Sequence, residues 1–351
     1  MGEGLRILVI SREFPPRVLG GMSYHLGNLY GRIRSNGASV TVLAGTCDEV
    51  TLDTTVPRPD DVNVEWIPFG SRRGHHIRFP IALKRHLWRF DTTPYDVAFT
   101  HTPVPFELDL PTVGKYHDCA REEKRYQSGT ASLFRRSLDR LIDPTRHWVD
   151  QRSLNAVDTA IFNSNLMRRT WGRHYDLPER SVVHYNGVDT EVFHPHSSVD
   201  GDYLLFVGNS ERKGLSTVLE FAGTSTYPVR LVGPKDVEDE NVRAVGRVSQ
   251  RELARLYSGA LATIHPAKFE AFGNVVLESL ACGTPVVTTK TCGASELLDD
   301  RCGVVSDDLS EGITRLSDRG ADTDACVEVA RTYSWDRVAR RTLDLAREVA
   351  W

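Results

Sequence analysis

Residues 268–289 read KFEAFGNVVLESLACGTPVVTT, and the order of apolar, glycine and proline residues in this stretch decides the fold of the second half of the chain. The short apolar run 262–265 that precedes it predicts the end of a buried strand. A helix is predicted over about 273–282, because Gly283 is a typical helix stop and Pro285 begins the next strand. Strand, helix and strand joined by short loops are typical of a parallel sheet covered by helices.

Two carboxylates flank the start of this predicted helix. The first backbone N–H groups of a helix have no internal partner and carry partial positive charge, so the amides of Phe272, Gly273 and Asn274 favour a phosphate. Glu270 stands just before them, and the side chain of Glu278, further along, leans back toward the helix start. A nucleotide-sugar has this layout, with the sugar at Glu270, the diphosphate at the helix start and the ribose at Glu278. The simpler alternative is that Glu270 caps the helix and Glu278 is a solvated helix residue.

The run from Glu270 to Glu278, E-A-F-G-N-V-V-L-E, resembles the E-x7-E motif of glycosyltransferase family 4, usually written E-G-F-G-x4-E. Ala271 replaces the usual glycine of that motif. The resemblance implies a GT-B fold, in which two Rossmann-like, doubly wound parallel sheets of an α/β protein face a cleft. It also implies a retaining transfer of sugar from a nucleotide-diphosphate donor to an acceptor hydroxyl, with no metal and no other cofactor.

The first half opens on a strand, a loop and a helix. Residues 5–11 are a hydrophobic strand, the loop 12–21 reads REFPPRVLGG, and the helix that follows is predicted to end near Asn36. Gly20 and Gly21 at the start of this helix allow a ligand to approach the backbone closely. The frame F-P-P-x3-G-G is similar to the first loop of the same family, which implies that this loop faces donor and acceptor across the cleft.

Two further buried strands are predicted over 96–101 and 112–117. Ligand sites in open α/β sheets lie at the carboxyl ends of strands, so His117 is placed where chemistry is expected. An isolated histidine at a strand end is more often structural. Its position matches the family's histidine at the end of this strand, which implies a contact with the sugar near the reaction centre. A helical segment follows over 132–157, with Pro144 predicted to interrupt it.

The segment 182–195, VVHYNGVDTEVFHP, resembles the family's N-G-V-D-x3-F-x-P segment, and its glycine and proline mark a domain boundary. The alternation of strands and helices then restarts and continues to about residue 305. We therefore expect an N-terminal, acceptor-side domain over 1–190 and a C-terminal, donor-binding domain over 191–334. The family implies that a final helix over 335–351 crosses back to the first domain.

The loop 208–214, GNSERKG, follows the first strand of the second half. Five residues separate its glycines and Leu215 follows the second, so it fails the ATP-binding pattern G-x4-G-K-[ST]. It resembles the family's phosphate-clamping loop, commonly written G-R-x4-K-G. Lys213 matches the lysine, whereas Asn209 stands at the usual arginine position. Arg212 is a candidate to reach the diphosphate instead, with a surface role as the alternative.

Composition excludes several other classes of protein. A chain of 351 residues with 40% hydrophobic and 26% charged residues suits two globular domains, and its net charge of −4 does not suit a nucleic-acid binder. The six cysteines lack metal-ligand spacing, so they are expected to be reduced and mostly buried. Residues 322–324 match the D-x-D pattern of metal-dependent glycosyltransferases, but they fall in a late helical segment away from strand ends. We therefore assign no metal.

Basic and aromatic residues cluster over 72–90, which reads RRGHHIRFPIALKRHLWRF. The cluster predicts a patch for an anionic lipid surface or a phosphorylated acceptor, with a solvated loop and helix face as the alternative. No apolar run approaches the roughly 18 residues that span a bilayer, and the N-terminus enters a strand directly rather than a signal segment. We expect a cytoplasmic protein with peripheral contact at the inner membrane face through this patch.

Three functions stay open from the residues. The pattern favours a hexosyltransferase that takes a nucleotide-sugar donor and a sugar, lipid-linked or small-molecule acceptor. Asn209 at the arginine position favours a non-catalytic nucleotide-sugar-binding subunit, and the fold also serves sugar phosphorylases and nucleotide-sugar epimerases. The expected catalytic residues are His117, Lys213 and Glu270, and the nucleobase is expected near Pro234 and 246–248, with Val248 in the donor site.

Overall fold

The computed structural model describes residues 4–53, 56–59, 62–127, 133–196, 201–234, 237 and 240–351, with the backbone alone described at 127 and 133–141. Within these ranges the chain forms two large parallel sheets that pack against helices, and one short two-stranded antiparallel sheet. This architecture confirms the predicted class of two Rossmann-like α/β domains.

The elements of the first half alternate as predicted. Its strands are β1 (Arg6–Ser11), β2 (Arg17–Val18), β3 (Ser39–Thr46), β4 (Thr51–Leu52), β5 (Asn63–Pro68), β6 (Val97–Thr100), β7 (Thr112–Tyr116), β8 (Thr159–Phe162) and β9 (Ser181–Val183). Its helices are α1 (Met22–Ser35), α2 (His75–Leu87), α3 (Ala120–Gln127), α4 (Leu133–Asn155) and α5 (Asn165–Gly172).

The second half repeats the pattern. Its strands are β10 (Tyr203–Val207), β11 (Val229–Val232), β12 (Val242–Gly246), β13 (Ala260–His265), β14 (Val286–Thr288) and β15 (Gly303–Val305). Its helices are α6 (Leu215–Ala222), α7 (Gln250–Ser258), α8 (Asn274–Ala281), α9 (Leu309–Arg319), α10 (Thr323–Thr332) and α11 (Trp335–Ala350), with 3-10 turns at Glu211–Lys213 and Gly293–Leu297.

Strand order in each sheet reverses beside its first strand. The seven-stranded sheet runs β5-β3-β1-β6-β7-β8-β9, and the six-stranded sheet runs β12-β11-β10-β13-β14-β15. The order in which strands are added to each sheet therefore reverses between β1 and β6 and between β10 and β13, although all these strands are parallel. Such a switch leaves a crevice at the carboxyl ends of the two strands, which is where ligands bind in open α/β sheets.

Alternate residues of β1 explain why its sheet is covered on both faces. Ile7 and Val9 are fully buried with Leu26 of α1, whereas Leu8 and Ile10 are fully buried in the cluster that contains residues of α2. Successive side chains of a strand point to opposite faces, so an apolar run such as RILVIS is stable only between two layers of helices. Alternate residues of β10 divide between two apolar clusters in the same way.

The chain passes between the two halves at two neighbouring points. The amide of Val188 donates to the carbonyl of Tyr333 over 3.0 Å, and the amide of Trp335 donates to the carbonyl of Val188 over 3.3 Å. A Cβ on Gly187 would lie 2.6 Å from the Trp335 ring, so the two crossings approach too closely for any side chain there. Beyond them, α11 packs on α1 with Trp335 and Leu343 buried. We propose 1–190, 191–334 and 335–351 as the limits of the three units.

One sequence expectation about helices is wrong. Pro144 was expected to interrupt the segment 132–157, but α4 is continuous from Leu133 to Asn155 with Pro144 inside it. A proline within a helix removes one hydrogen bond and crowds the preceding turn. Beyond Pro144, Val149 and Leu154 of the same helix are buried. Tertiary packing of this apolar face outweighs the local cost.

Candidate active site

Residues that follow β1, β7, β10 and β13 line one cleft of about 660 Å³ between the two sheets. The cleft gathers most of the residues expected from the sequence: Gly20, Gly21, His117, Arg212, Lys213, Glu270, Ala271, Phe272, Gly273, Asn274 and Glu278. Neither Asn209 nor Val248 lies among the described residues that line it. Asn209 is exposed on its loop, and Val248 packs against the core of the second half.

The start of α8 forms an open, positively polarised end in this cleft. Gly273 adopts φ +96°, a left-handed conformation that side chains rarely allow, and no side chain caps the helix there. Glu270 therefore makes no capping hydrogen bond to the helix, and the alternative that it caps the helix through its charge stays a prediction. The wall from Phe272 to Val275 carries the first backbone amides of the helix, which suit an anionic group.

Replacing Gly273 with alanine is expected to weaken binding of a nucleoside diphosphate at least about tenfold, because left-handed backbone costs a residue with a Cβ about 1–2 kcal/mol. The added Cβ would also lie 2.7 Å from Sγ of Cys292, so the helix start has to shift. Isothermal titration of the wild type and the variants with UDP and ADP measures the effect. Gly320→Ala is the matched control, since Gly320 also has positive φ (+77°) but lies in open space. Equal affinity in the two variants would contradict a phosphate site at α8.

Glu270 is fixed by backbone pairing and faces a guanidinium. Its amide donates to Thr291 over 2.9 Å and its carbonyl accepts from Gly293 over 2.9 Å, so the loop that carries it is anchored. Nη1 of Arg212 lies 3.3 Å from Oε2 of Glu270 and 3.5 Å from Oε1 of Glu123 on α3. Arg212 therefore links the two halves of the protein.

These contacts of Arg212 contradict one of its two expected roles, the surface role. The guanidinium also donates to the carbonyl of Phe269 over 2.9 Å, and its side chain is 19% exposed. Arg212 is thus not a surface residue, and its contact with the diphosphate stays a prediction. Burial and the nearby carboxylates of Asp118 and Glu270 raise the pKa of Glu123 to about 7, although Arg212 acts in the opposite direction.

Lys213 is a cation in the cleft wall formed by the second half, and its charge is free to bind a ligand. Within the described part of the chain it makes no ion pair, and it lines the cleft. A Cβ on Gly208 would lie 2.9 Å from Cδ of Lys213, so the glycine gives room for the lysine stem to cross the loop. Burial has the largest effect on the pKa values of His265 and Glu278, and the positive charge of Lys213 acts to lower both.

The carboxylate of Glu278 is oriented by a hydrogen bond from Tyr257. The hydroxyl of Tyr257 donates to Oε2 of Glu278 over 3.0 Å. The carboxylate is half-buried, and burial raises its pKa despite this hydrogen bond. The alternative of a simply solvated helix residue is therefore wrong, and the side chain lines the cleft as expected.

The loop Arg12–Gly21 is organised by a residue that sequence reasoning missed. Glu13 is fully buried, and its Oε2 accepts hydrogen bonds from the amides of Leu19 (2.7 Å) and Gly20 (2.8 Å) and from Oγ of Ser23 (2.6 Å). The amide of Gly20 is therefore used within the protein. Gly21 has open space at its Cβ position and leaves the cleft wall flat.

His117 belongs to a cluster of three histidines. Nε2 of His117 and Nδ1 of His101 are 2.9 Å apart, and Oη of Tyr30 lies 2.6 Å from Nε2 of His101. The ring nitrogens of His25, His101 and His117 lie within 4.8 Å of one another, a spacing that could hold a metal ion. Burial lowers the pKa of all three, and buried Lys115 lowers them further. The rings are therefore neutral, and the positive charge of Lys115 nearby opposes a cation.

His265 is a second histidine that sequence reasoning missed. It ends β13 beside Glu270, is fully buried, and neither ring nitrogen has a hydrogen-bond partner among the described residues. Burial, Lys213 and Arg212 lower its pKa to about 4, against the effect of Glu270. The neutral ring offers one donor and one acceptor to a ligand. Both His101 and His265 stand at strand ends, so the rule that selected His117 would also have selected them.

Contacts across the cleft hold the loop of Glu270 against the first half. Oγ of Ser164 donates to the carbonyl of Ala271 over 2.8 Å, and the Ala271 methyl packs with Tyr116 and Phe162. Glu296 accepts from the amides of Asn165 (2.8 Å) and Leu166 (2.7 Å) at the start of α5. Alanine at position 271 is thus a site of apolar contact between the two halves, a use that glycine would not serve.

The other candidates have structural roles. Asp322 caps α10 by accepting from the amide of Ala325 over 2.9 Å, which accounts for the D-x-D pattern. All six cysteines are buried and free, as predicted.

Two family models match the chain: Glycosyltransferase Family 4 over residues 19–192 and Glycosyl transferases group 1 over residues 189–331. The glycogen synthase of Mycobacterium tuberculosis is 27% identical over 348 residues, covering 86% of this chain and 82% of that protein. The sucrose-phosphate synthase of Thermosynechococcus elongatus superposes with a TM-score of 0.76 at 18% identity, covering 98% of this chain and 99% of that structure. Anabaena HepE in complex with UDP and glucose superposes with a TM-score of 0.68 at 17% identity, covering 98% of this chain and 100% of that structure.

The two facing sheets and these matches define a glycosyltransferase with the GT-B fold. More closely, the chain belongs to the family 4-like glycosyltransferases, and the resemblance given by its sequence motifs is confirmed. It is an enzyme of carbohydrate biosynthesis and a hexosyltransferase.

Proposed function

We propose that this enzyme transfers a hexose from a nucleoside-diphosphate-sugar to an acceptor hydroxyl, with retention at the anomeric carbon and without a metal ion. The observation that carries the proposal is the uncapped start of α8, which lies in the cleft with Lys213 and Glu270. A diphosphate needs positive charge, and the helix start and one ammonium group supply it there. The UDP and glucose bound to HepE support a donor of this class.

Donor binding follows from the lining of the second half. The amides from Phe272 to Asn274 and the ammonium of Lys213 hold the diphosphate. Glu278, oriented by Tyr257, accepts from the ribose hydroxyls. Glu270 accepts from the hydroxyls of the sugar, and His265 adds a neutral donor or acceptor beside it.

The acceptor enters from the wall that contains Gly21 and His117. In the reaction, the bond from the anomeric carbon to the diphosphate oxygen breaks and a bond to the acceptor oxygen forms on the same face. The departing phosphate oxygen takes the acceptor proton, so no separate base is required. The protein then contributes positioning and stabilisation of the charge on the leaving group.

A thermal-shift screen of nucleoside diphosphates and their sugars tests the donor, since a ligand that binds the native state raises the melting temperature. Donor turnover is then followed as release of nucleoside diphosphate in the presence of EDTA, with the anomeric configuration of the product read by NMR. We expect unchanged turnover after chelation and a retained configuration. Loss of turnover with EDTA would overturn metal independence, and phosphate-dependent release of sugar 1-phosphate would identify a phosphorylase instead.

We further propose that α2 binds the surface of an anionic membrane, with the enzyme on the cytoplasmic side. Among the described helices, none combines the length and the apolar character needed to cross a bilayer. On α2, however, Ile77 and Ile81 are 38% and 48% exposed, and Trp88, directly after the helix, is 77% exposed. No acidic residue occurs over 72–90, and arginines and lysine flank the three apolar side chains. An exposed apolar stripe with a basic border is typical of a helix that lies in the interface.

Replacing Ile77, Ile81 and Trp88 together with serine is expected to lower partition onto anionic phospholipid vesicles by more than about 100-fold, because each such side chain contributes about 1.5–3 kcal/mol when buried. Vesicle sedimentation measures the bound fraction. Leu261→Ser is the control, since Leu261 is 43% exposed on the second half. Equal sedimentation of the triple variant and this control would contradict membrane docking through α2.

A further inference from the structure

The acceptor side of the cleft continues into a small side pocket of about 80 Å³ beside His117. Arg12, His75, His117 and Asp118 line both the cleft and this pocket, so the two spaces adjoin. The pocket lies on the wall opposite Lys213 and the start of α8. A group bound there would belong to the acceptor.

The cations around this pocket form no salt bridge among the described residues, although the charge of Arg146 acts against the rise in the pKa of Asp150. Arg12, Lys115 and Arg146 line it, and Arg72 stands in the cleft nearby. Within the described part of the chain, none of the four makes an ion pair. Nη1 of Arg12 instead donates to Nε2 of His75 over 2.8 Å. This contrasts with Arg212, whose guanidinium contacts two carboxylates.

Lys115 is a buried cation of this pocket that has no carboxylate partner among the described residues. It is a residue of β7, is 5% exposed, and its ammonium group forms no hydrogen bond or ion pair among the described residues. Burial lowers its pKa to about 7. A buried cation without a partner is costly, and binding an anion removes that cost.

Two carboxylates also line the pocket and have to be included in the charge balance. Asp150 accepts from the hydroxyl of Tyr175 over 2.8 Å, and burial raises its pKa to about 6. Asp118 faces both spaces, and the carbonyl of the same residue accepts from the indole of Trp171 over 3.0 Å. The pocket therefore has two arginines and one lysine against two acids, and Arg72 lies in the adjoining cleft, which favours an anionic ligand.

We propose that the acceptor carries a phosphate monoester, bound in this side pocket by Arg12, Arg146 and Lys115. The inference rests on the proposed glycosyl transfer and names the class of its acceptor. Arginine guanidinium groups match the oxygens of a phosphate in pairs, and a monoester carries close to two negative charges. With the phosphate in the side pocket, a hydroxyl of the same molecule reaches the cleft near His117.

Inorganic phosphate is the probe for the test, added to enzyme saturated with UDP or ADP so that the donor site is filled. Melting temperature is followed against phosphate concentration for the wild type, Arg146→Gln and Arg12→Gln. Loss of a charged hydrogen-bond partner is expected to weaken phosphate binding about 10- to 100-fold in Arg146→Gln. Arg168→Gln is the control, since Arg168 is exposed and makes no side-chain contact among the described residues.

Phosphate stabilisation of the wild type and of Arg168→Gln, reduced in Arg146→Gln and in Arg12→Gln, supports the proposal. No phosphate effect on the wild type, equal effects in all variants, or equal stabilisation by acetate overturns it. The titration is repeated without nucleotide. If nucleoside diphosphate fails to bind, the proposed donor reaction is contradicted while the phosphate measurement stays valid.

Discussion

Replacing Lys213 with methionine is expected to lower kcat by about 10²- to 10³-fold, which is the usual cost of removing one preorganised charge-stabilising group. The reason lies in the pairing of the neighbouring residue. Arg212 is held by Glu270, Glu123 and the carbonyl of Phe269, so its charge is already used. Lys213 and the amides of α8 are then the groups that stabilise the negative charge developing on the departing diphosphate. Methionine keeps the apolar stem that crosses Gly208 and removes the ammonium group.

Steady-state kinetics with the donor identified by the thermal-shift screen measure this effect. We expect kcat to fall more than the affinity for the intact donor, because the interaction strengthens as negative charge grows on the leaving group. Lys268→Met is the matched control, since the Lys268 ammonium forms an exposed pair with Glu211 at 3.3 Å and such pairs contribute little. A kcat near the wild-type value in Lys213→Met would contradict this role.

The architecture was predictable because its signals are local. The helix stop at Gly283 and the strand after Pro285 are read from single residues, and α8 and β14 lie where these residues place them. The apolar run of β1 likewise predicts a strand buried on both faces. The failure at Pro144 has a different origin. The packing that keeps α4 continuous is made by residues remote in sequence, and no local pattern contains that information.

The candidate site was predictable only in part. Glu270, Glu278 and Lys213 carry family motifs, so their shared cleft could be expected. The link from Arg212 to Glu123 could not be expected, because α3 and the Glu211–Lys213 turn meet only after both sheets have formed. In a 3-10 turn neighbouring side chains point about a third of a turn apart. Here both reach the cleft because the turn lies at its rim.

The histidine cluster shows the same limit. His101 and His117 are neighbours because β6 and β7 are adjacent in the sheet. His25 joins them from α1, and its ring lies 4.8 Å from that of His117. Each strand considered alone in the sequence is followed by a single histidine. The order of the strands in the sheet brings these histidines together, and they form one neutral, buried wall beside the acceptor side of the cleft.

Replacing Glu270 with glutamine is expected to lower kcat by about 10²- to 10³-fold while the Kd for nucleoside diphosphate changes little. Glutamine keeps the size of the side chain and removes its charge. The carboxylate accepts strongly from sugar hydroxyls and stabilises positive charge that develops at the anomeric carbon in sugar transfer. The diphosphate is bound separately by Lys213 and α8, so nucleotide affinity is the internal reference.

The variant also tests the network around Arg212. Without the charge of Glu270, the guanidinium keeps Glu123 as its carboxylate partner, and the pKa of Glu123 falls from about 7 because Glu270 helps to raise it. Burst and steady-state assays give kcat, calorimetry gives the nucleotide Kd, and Glu220→Gln on the exposed face of α6 is the matched control. Near-wild-type turnover in Glu270→Gln would remove Glu270 from the reaction. An equal loss of nucleotide affinity and turnover would instead show that Glu270 holds the α8 loop in place without contacting the sugar.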